Sequence, residues 1–279
     1  MAALCAIGCC TSGCAVLPAR PDSEGRCDVI RVSSYRETTA DGVSVAFDCY
    51  RKPQRDTAIV ICPGFFQSKQ TPTFRHLSRA IAQDFDVGCM VLGGHGRSGG
   101  FFTFSAREQA DLDAVLRWAR RRYRRVGILG FSLGAATAVN LSSHQGGVQA
   151  LVAVSAPAAF EDIDFKFWSP EAIRTGMRGL EPGAGCRPGS PWLRKERPIE
   201  NVGNIPGIPI LLIHGTEDPI VSHSHGERLY QVAREPKSLV LIESGGHAEE
   251  LYRQYPDRFL LLIRDWLKKA SLSDGQPAW

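Results

Sequence analysis

The sequence has no C-x-x-C pair backed by histidines, no internal repeat, no low-complexity segment and no strong excess of charge of either sign. The first absence argues against a structural zinc site. A net charge of +4 over 279 residues gives only a weak general attraction to polyanions. The single dense basic run, Arg117 to Arg125, holds six arginines but no nucleic-acid-reading motif, so no nucleic-acid partner is expected. It ends a predicted helix, where cations suit the carbonyl end of the helix dipole. The spacing of the nine cysteines does not indicate a disulfide framework. Cys5, Cys9, Cys10 and Cys14 crowd the N-terminus, and Cys27, Cys49, Cys62, Cys89 and Cys186 are scattered. Cys62 and Cys89 fall in apolar runs, where a thiol acts as a small apolar group.

Residues Met1 to Leu17 carry no charge and are mostly small or apolar, like the apolar part of an export signal without its positive start. That length is marginal for spanning a bilayer. Ala6-Ile7-Gly8-Cys9 and Thr11-Ser12-Gly13-Cys14 resemble a bacterial lipoprotein processing site, lacking the usual leucine before the small residues. Two expectations therefore stand side by side. One is an envelope protein associated with the membrane through residues 1–27, the other a cytoplasmic protein.

Beyond that segment the chain alternates. Asp28 to Arg36 and Val43 to Tyr50 read as strands joined by a Thr39-Ala40-Asp41-Gly42 turn. Thr57 to Cys62, Val87 to Leu92, Val126 to Phe131, Gln149 to Val154, Pro209 to Ile213 and Leu239 to Ile242 are apolar runs of strand length. Helices are predicted over 74–82, 105–121, 133–141, 227–233 and 256–269. Continuous apolar strands alternating with helices imply an α/β fold, a mostly parallel central sheet flanked by helices, with the opening hairpin antiparallel at one edge. The expected core is 28–157 with 208–270. Residues 158–207, rich in Gly and Pro and carrying Phe160, Phe165, Phe167, Trp168 and Trp192, read as a cap insertion, and 271–279 as a C-terminal tail.

Gly130-Phe131-Ser132-Leu133-Gly134 has the form G-x-S-x-G. The pattern alone is weak, but here an apolar strand enters it and an alanine-rich helix leaves it. A sharp strand-to-helix turn needs small residues on both sides and lifts the serine hydroxyl at the carboxyl end of the sheet. A serine hydroxyl is a poor nucleophile until a base takes its proton. Asp218 and His247 each follow a downstream apolar strand, in the chain order serine, acid, histidine. Glu217 competes with Asp218. His223 and His225 compete with His247 but fall at a helix start, and His214 sits at a strand end, where local hydrogen bonding is expected. An oxyanion needs fixed N–H donors. The expected donors are Leu133, directly after the serine, and Phe65, in the loop after the strand ending at Cys62, with Phe66 as its rival.

Five segments in this order, CPGFFQS, GGHGRSGG, GFSLGA, HGTEDPIV and SGGHAE, resemble the α/β-hydrolase superfamily, and within it the serine-aminopeptidase-like and monoglyceride-lipase-like hydrolases. The resemblance implies an α/β-hydrolase fold with a cap, a Ser132–His247–Asp218 triad, Phe65 in the oxyanion loop and a structural His95. It departs from the pattern at Val91 and Gly93, where relatives commonly carry aspartate and arginine. The implied reaction is hydrolysis of a small-molecule carboxylic ester, with neither metal nor organic cofactor. An amide substrate stays open, with Glu161, Asp162 and Asp164 available to an amine. So do an acyltransferase and a non-catalytic binding protein on the same fold.

Overall fold

The computed structural model describes residues 29–163, 185–190 and 192–272. Eight strands form one sheet: β1 Arg31–Thr38, β2 Ser44–Arg51, β3 Thr57–Cys62, β4 Asp86–Met90, β5 Arg125–Phe131, β6 Ala150–Val154, β7 Ile210–Gly215 and β8 Lys237–Ile242. Their spatial order is β1-β2-β4-β3-β5-β6-β7-β8. The β1–β2 and β2–β4 pairs are antiparallel, and every later pair is parallel. The hairpin closes as expected, with Thr39 N donating to Val43 O at 2.9 Å and Gly42 at φ 84°.

The helices are α1 Pro72–Ile81, α2 Glu108–Arg120, α3 Leu133–His144, α4 Pro198–Asn201, α5 His223–Val232, α6 Glu249–Gln254 and α7 Pro256–Leu272. Alternation along the central strands splits the core into two layers. Ala58, Val60 and Cys62 of β3 face Leu112 and Val115 of α2 and Ala135 and Val139 of α3. Ile59 and Ile61 face Phe74 and Leu77 of α1 and Phe259 and Ile263 of α7. A strand buried on both faces must read as an unbroken apolar run, which is why β3, β5, β6 and β7 are visible in the sequence. The residues around α4 join the first layer, with Val202 and Ile205 buried against it.

Helix α2 starts at Glu108, later than the sequence periodicity predicts. Phe104 and Ser105 take φ of 55° and 76°, which no helix can include. The start is instead tied off reciprocally. Thr103 Oγ1 accepts from Arg107 N at 3.0 Å while Glu108 Oε1 accepts from Thr103 N at 2.5 Å, a variant of the capping box. The short helices α4 and α6 were not predicted.

Among the described residues, no helix is long and apolar enough to cross a membrane. The anchoring and processing expectations for residues 1–27 lie outside the described residues, as do Asp164, Phe165, Phe167 and Trp168.

Candidate active site

In the sheet order the chain runs outward one way from β3 to β4 and the other way from β5 onward, so the β3–β5 boundary is where connections diverge. Ligands of open α/β sheets bind outside the carboxyl ends of the strands at such a point. Ser132 follows β5 and Phe65 follows β3 there. Ser132 sits at φ 49°, ψ −114°, a costly conformation for a side-chain-bearing residue. Three hydrogen bonds hold it: Ser132 N donates to Val154 O at 2.8 Å, and Ser132 O accepts from Ala135 N and Ala136 N, both at 3.0 Å. The flanking glycines are steric necessities. A Cβ on Gly130 would lie 2.6 Å from Ala135 Cα. One on Gly134 would lie 2.5 Å from Pro63 O and closer still to Cys62 O, so this glycine lets the serine turn touch the loop that carries Phe65.

Asp218 and His247 follow β7 and β8, and the structure brings both to Ser132. His247 Nε2 lies 2.9 Å from Ser132 Oγ, and His247 Nδ1 lies 2.7 Å from Asp218 Oδ2. Asp218 is positioned by its own turn: Oδ1 accepts from Ile220 N at 2.9 Å and Val221 N at 2.8 Å. Its neighbour Glu217 is exposed and accepts from Ser244 Oγ at 3.2 Å, away from the histidine. His214 hydrogen-bonds locally as expected, Nε2 to Val221 O at 2.9 Å, and also stands 3.5 Å from Asp218 Oδ2. His225, in the first turn of α5, accepts at Nδ1 from Ala158 N at 3.0 Å, and His223 opens the same helix.

Electrostatics follow from this packing. Burial works against the charge on Asp218, but His247 and the His214 contact override it and hold the carboxyl well below its usual range. Burial alone would likewise lower His247. Asp218, with a smaller contribution from Glu249, raises it above the ordinary imidazole value.

The loop after β3 is held by His95, which is fully buried. Its Nδ1 donates to Gly93 O at 3.1 Å, so Nε2 is left to accept from Phe66 N at 3.3 Å. Burial pushes this imidazole down to about 4, in keeping with a neutral ring. The Phe66 amide is therefore committed to His95, while the Phe65 ring stacks on Phe102 at 4.8 Å. Gly93 N in turn donates to Asp111 Oδ2 at 2.7 Å.

Sequence reasoning missed two supports of the histidine. Ser155, after β6, accepts at Oγ from Ala248 N at 2.9 Å and so fixes the residue after His247. His214 flanks Asp218. A serine after a buried strand end was the only available signal for Ser155. Glu161 pairs with Arg197 at 2.5 Å and Asp162 with Arg228 at 2.8 Å, partners that the sequence reading did not foresee. These arginines lie far along the chain, and only the fold brings them in. Among the described residues, no group of His, Cys, Asp or Glu side chains is arranged to hold a metal ion.

A family model described as alpha/beta hydrolase fold matches residues 57–175. The Pyrococcus furiosus esterase Pf2001 superposes with a TM-score of 0.70 at 20% identity, covering 86% of this chain and 91% of that one. The chain has the α/β-hydrolase fold. The resemblance read from the five motifs is borne out at that level. Curated relatives on this fold include Uncharacterized protein YfhR of Salmonella typhimurium, 27% identical over 174 residues, covering 58% of this chain and 52% of that protein. Alpha/beta hydrolase domain-containing protein 17B of Xenopus laevis is 31% identical over 157 residues, 53% of this chain and 46% of that protein. The chain thus aligns with about half the length of these relatives.

Proposed function

We propose that the chain is a serine hydrolase that cleaves small-molecule carboxylic esters through an acyl-enzyme. Ser132 is the nucleophile, His247 the general base and Asp218 the residue that orients and charges the base. What carries this reading is one observation: an unbroken hydrogen-bonded row from Ser132 Oγ through His247, 2.9 Å and 2.7 Å, to Asp218. His247 takes the serine proton as Ser132 attacks the ester carbonyl, then returns it to the leaving alcohol, and water repeats the sequence on the acyl-enzyme.

The tetrahedral oxyanion rests on the N–H groups of Leu133 and Phe65. Leu133 is the first residue of α3, where the amide has no intrahelical acceptor and the helix dipole is positive. Phe65 is assigned from its place in the loop after β3, as the five-motif resemblance implies, and the neighbouring Phe66 amide donates to His95. The aromatic wall of Phe65, Phe102 and Phe104 suits a short or medium acyl chain. The name esterase carried by the Pyrococcus protein agrees with this reading.

The test is a fluorophosphonate probe, which labels only an activated serine, together with p-nitrophenyl ester turnover. Ser132 should be labelled, and Ser132→Ala should lower kcat by about 10⁴ or more with the thermal transition unchanged. Turnover near that of the parent in this variant, or a parent Ser132 that stays unlabelled, would end the proposal.

A further inference from the structure

The end of the sheet opposite Ser132 carries a cleft of about 550 Å³. Arg31 opens β1, Arg51 closes β2, Lys52 follows it, Arg55 leads into β3 and Arg122 leads into β5, and all five line this cleft. The strand register explains the convergence. Arg31 pairs with Arg51, and Tyr50 pairs with Val87 at the start of β4. The loops that enter the parallel strands therefore meet the hairpin at one edge.

Among the described residues, the cleft has a single acidic lining residue, Asp86. That carboxylate is buried and accepts from Lys52 N at 3.0 Å and Tyr123 Oη at 2.8 Å. The arginines are held by neutral partners. Arg51 donates to Tyr35 Oη at 3.1 Å, and Arg55 to Ala82 O at 3.2 Å and Gln83 O at 2.5 Å. Arg122 lies over the Trp118 ring at 4.5 Å and donates to Trp118 O at 3.2 Å. Among the described residues, none of Arg31, Arg51, Arg55 and Arg122 forms an ion pair with a carboxylate. Arginines elsewhere on the chain do find one: Arg117 with Asp113, Arg121 with Glu37, Arg264 with Asp84.

Like charges gathered in one concave site repel one another and raise the local potential, which an incoming anion relieves. Guanidinium groups pre-set by their own hydrogen bonds match phosphate oxygens in a fork geometry. A volume of this size takes a small organic phosphate, and the charged lining suits that class better than an apolar ligand. We infer that this cleft is a binding site for a multiply charged phosphate-bearing anion, separate from the candidate active site and independent of the hydrolase reading. The anion is a free phosphorylated molecule or the headgroup of an anionic lipid that presents the same chemistry.

The experiment is calorimetric titration of the full chain with inorganic pyrophosphate, at constant ionic strength with sulfate as reference. Binding tighter than sulfate and weakening with added salt is expected. Arg31→Gln with Arg122→Gln, two exposed side chains, should weaken it by roughly tenfold or more while ester turnover stays at the parent value. Cosedimentation with vesicles of phosphatidylcholine, with and without phosphatidylglycerol, separates the sources. Vesicle binding that pyrophosphate displaces assigns a headgroup, and pyrophosphate binding without vesicle binding assigns a free phosphate. Pyrophosphate affinity equal to that of sulfate, affinity unchanged in the double variant, or vesicle binding that resists excess pyrophosphate would each overturn the site.

Discussion

Asp218→Asn keeps the shape of the acid and inverts one of its hydrogen bonds. The oxygen that accepts from Ile220 N and Val221 N survives, so the turn should hold and the variant should fold. The atom facing His247 Nδ1 becomes an NH₂ donor in place of an acceptor. The imidazole must then accept at Nδ1, its proton moves to Nε2, and Nε2 can no longer take the proton of Ser132 Oγ at 2.9 Å. The same acid-to-amide change in another serine hydrolase costs about 10⁴ in kcat, or ~5.5 kcal/mol of barrier. A loss of that order is expected here, with KM changed far less, because nothing on the substrate side of Ser132 moves. The pH profile carries a second signature. The base must be neutral to act, and Asp218 raises its pKa, so the parent's rate should climb with pH through a limb above the ordinary value of about 6.5. Without the carboxylate the limb should move to lower pH. The assay is p-nitrophenyl ester turnover from about pH 5 to about pH 9, with thermal denaturation as the folding control. Glu217→Gln, at an exposed side chain turned away from His247, should leave both rate and limb in place. If Glu217→Gln costs more than Asp218→Asn, or if the asparagine variant keeps the parent's limb, the acid has been wrongly assigned.

Gly134→Ala forces a methyl into the carbonyls of Cys62 and Pro63. It should cost about 1–3 kcal/mol, seen as a Tm lowered by several degrees, and reduce kcat by displacing the Phe65 loop, whereas an unchanged Tm would mean the two turns do not touch. Asp111 is buried, which pushes its carboxyl up to about 7, Gly93 N pulling the other way and Glu108 and Asp41 adding to the rise. As pH falls from about 7 to about 4 the folded chain binds a proton before the unfolded chain does, so stability rises over that window, and the charged form above it costs at most ~4 kcal/mol. Asp111→Asn, which still accepts from Gly93 N, should therefore have a higher urea midpoint than the parent near pH 8, with the advantage shrinking towards pH 4; a difference that stays constant with pH would refute the assignment.

The elements legible in the sequence were those whose environment is uniform. The central strands are covered on both faces and so read as apolar runs, and the strand–turn–helix at Ser132 is local, so its glycines announce it. Non-local pairings stayed hidden. Nothing near Glu161 and Asp162 signals that Arg197 and Arg228 will claim them. The choice between Glu217 and Asp218 was likewise undecided by chain order, since both follow β7. It is the aspartate's shorter side chain, closing a turn onto Ile220 and Val221, that aims one oxygen at the histidine. Ser155 shows the same limit: its role depends on β6, β7 and β8 lying side by side in the sheet, so that its hydroxyl meets Ala248 N in the loop after β8.

The sheet itself keeps the two ends of the molecule apart. β5 spans 7 residues, and at ~3.3 Å per residue Ser132 stands ~20 Å or more from the basic cleft where that strand begins. A unit charge at ~20 Å in water changes the energy of an ionisable group by only ~0.2 kcal/mol, before salt screening. An anion in the cleft should therefore leave the His247 limb where Asp218 sets it. If phosphate altered ester turnover, the effect would have to travel through movement of β5 or of the Phe65 loop. The close contact of Gly134 with Cys62 and Pro63 gives such a movement little room.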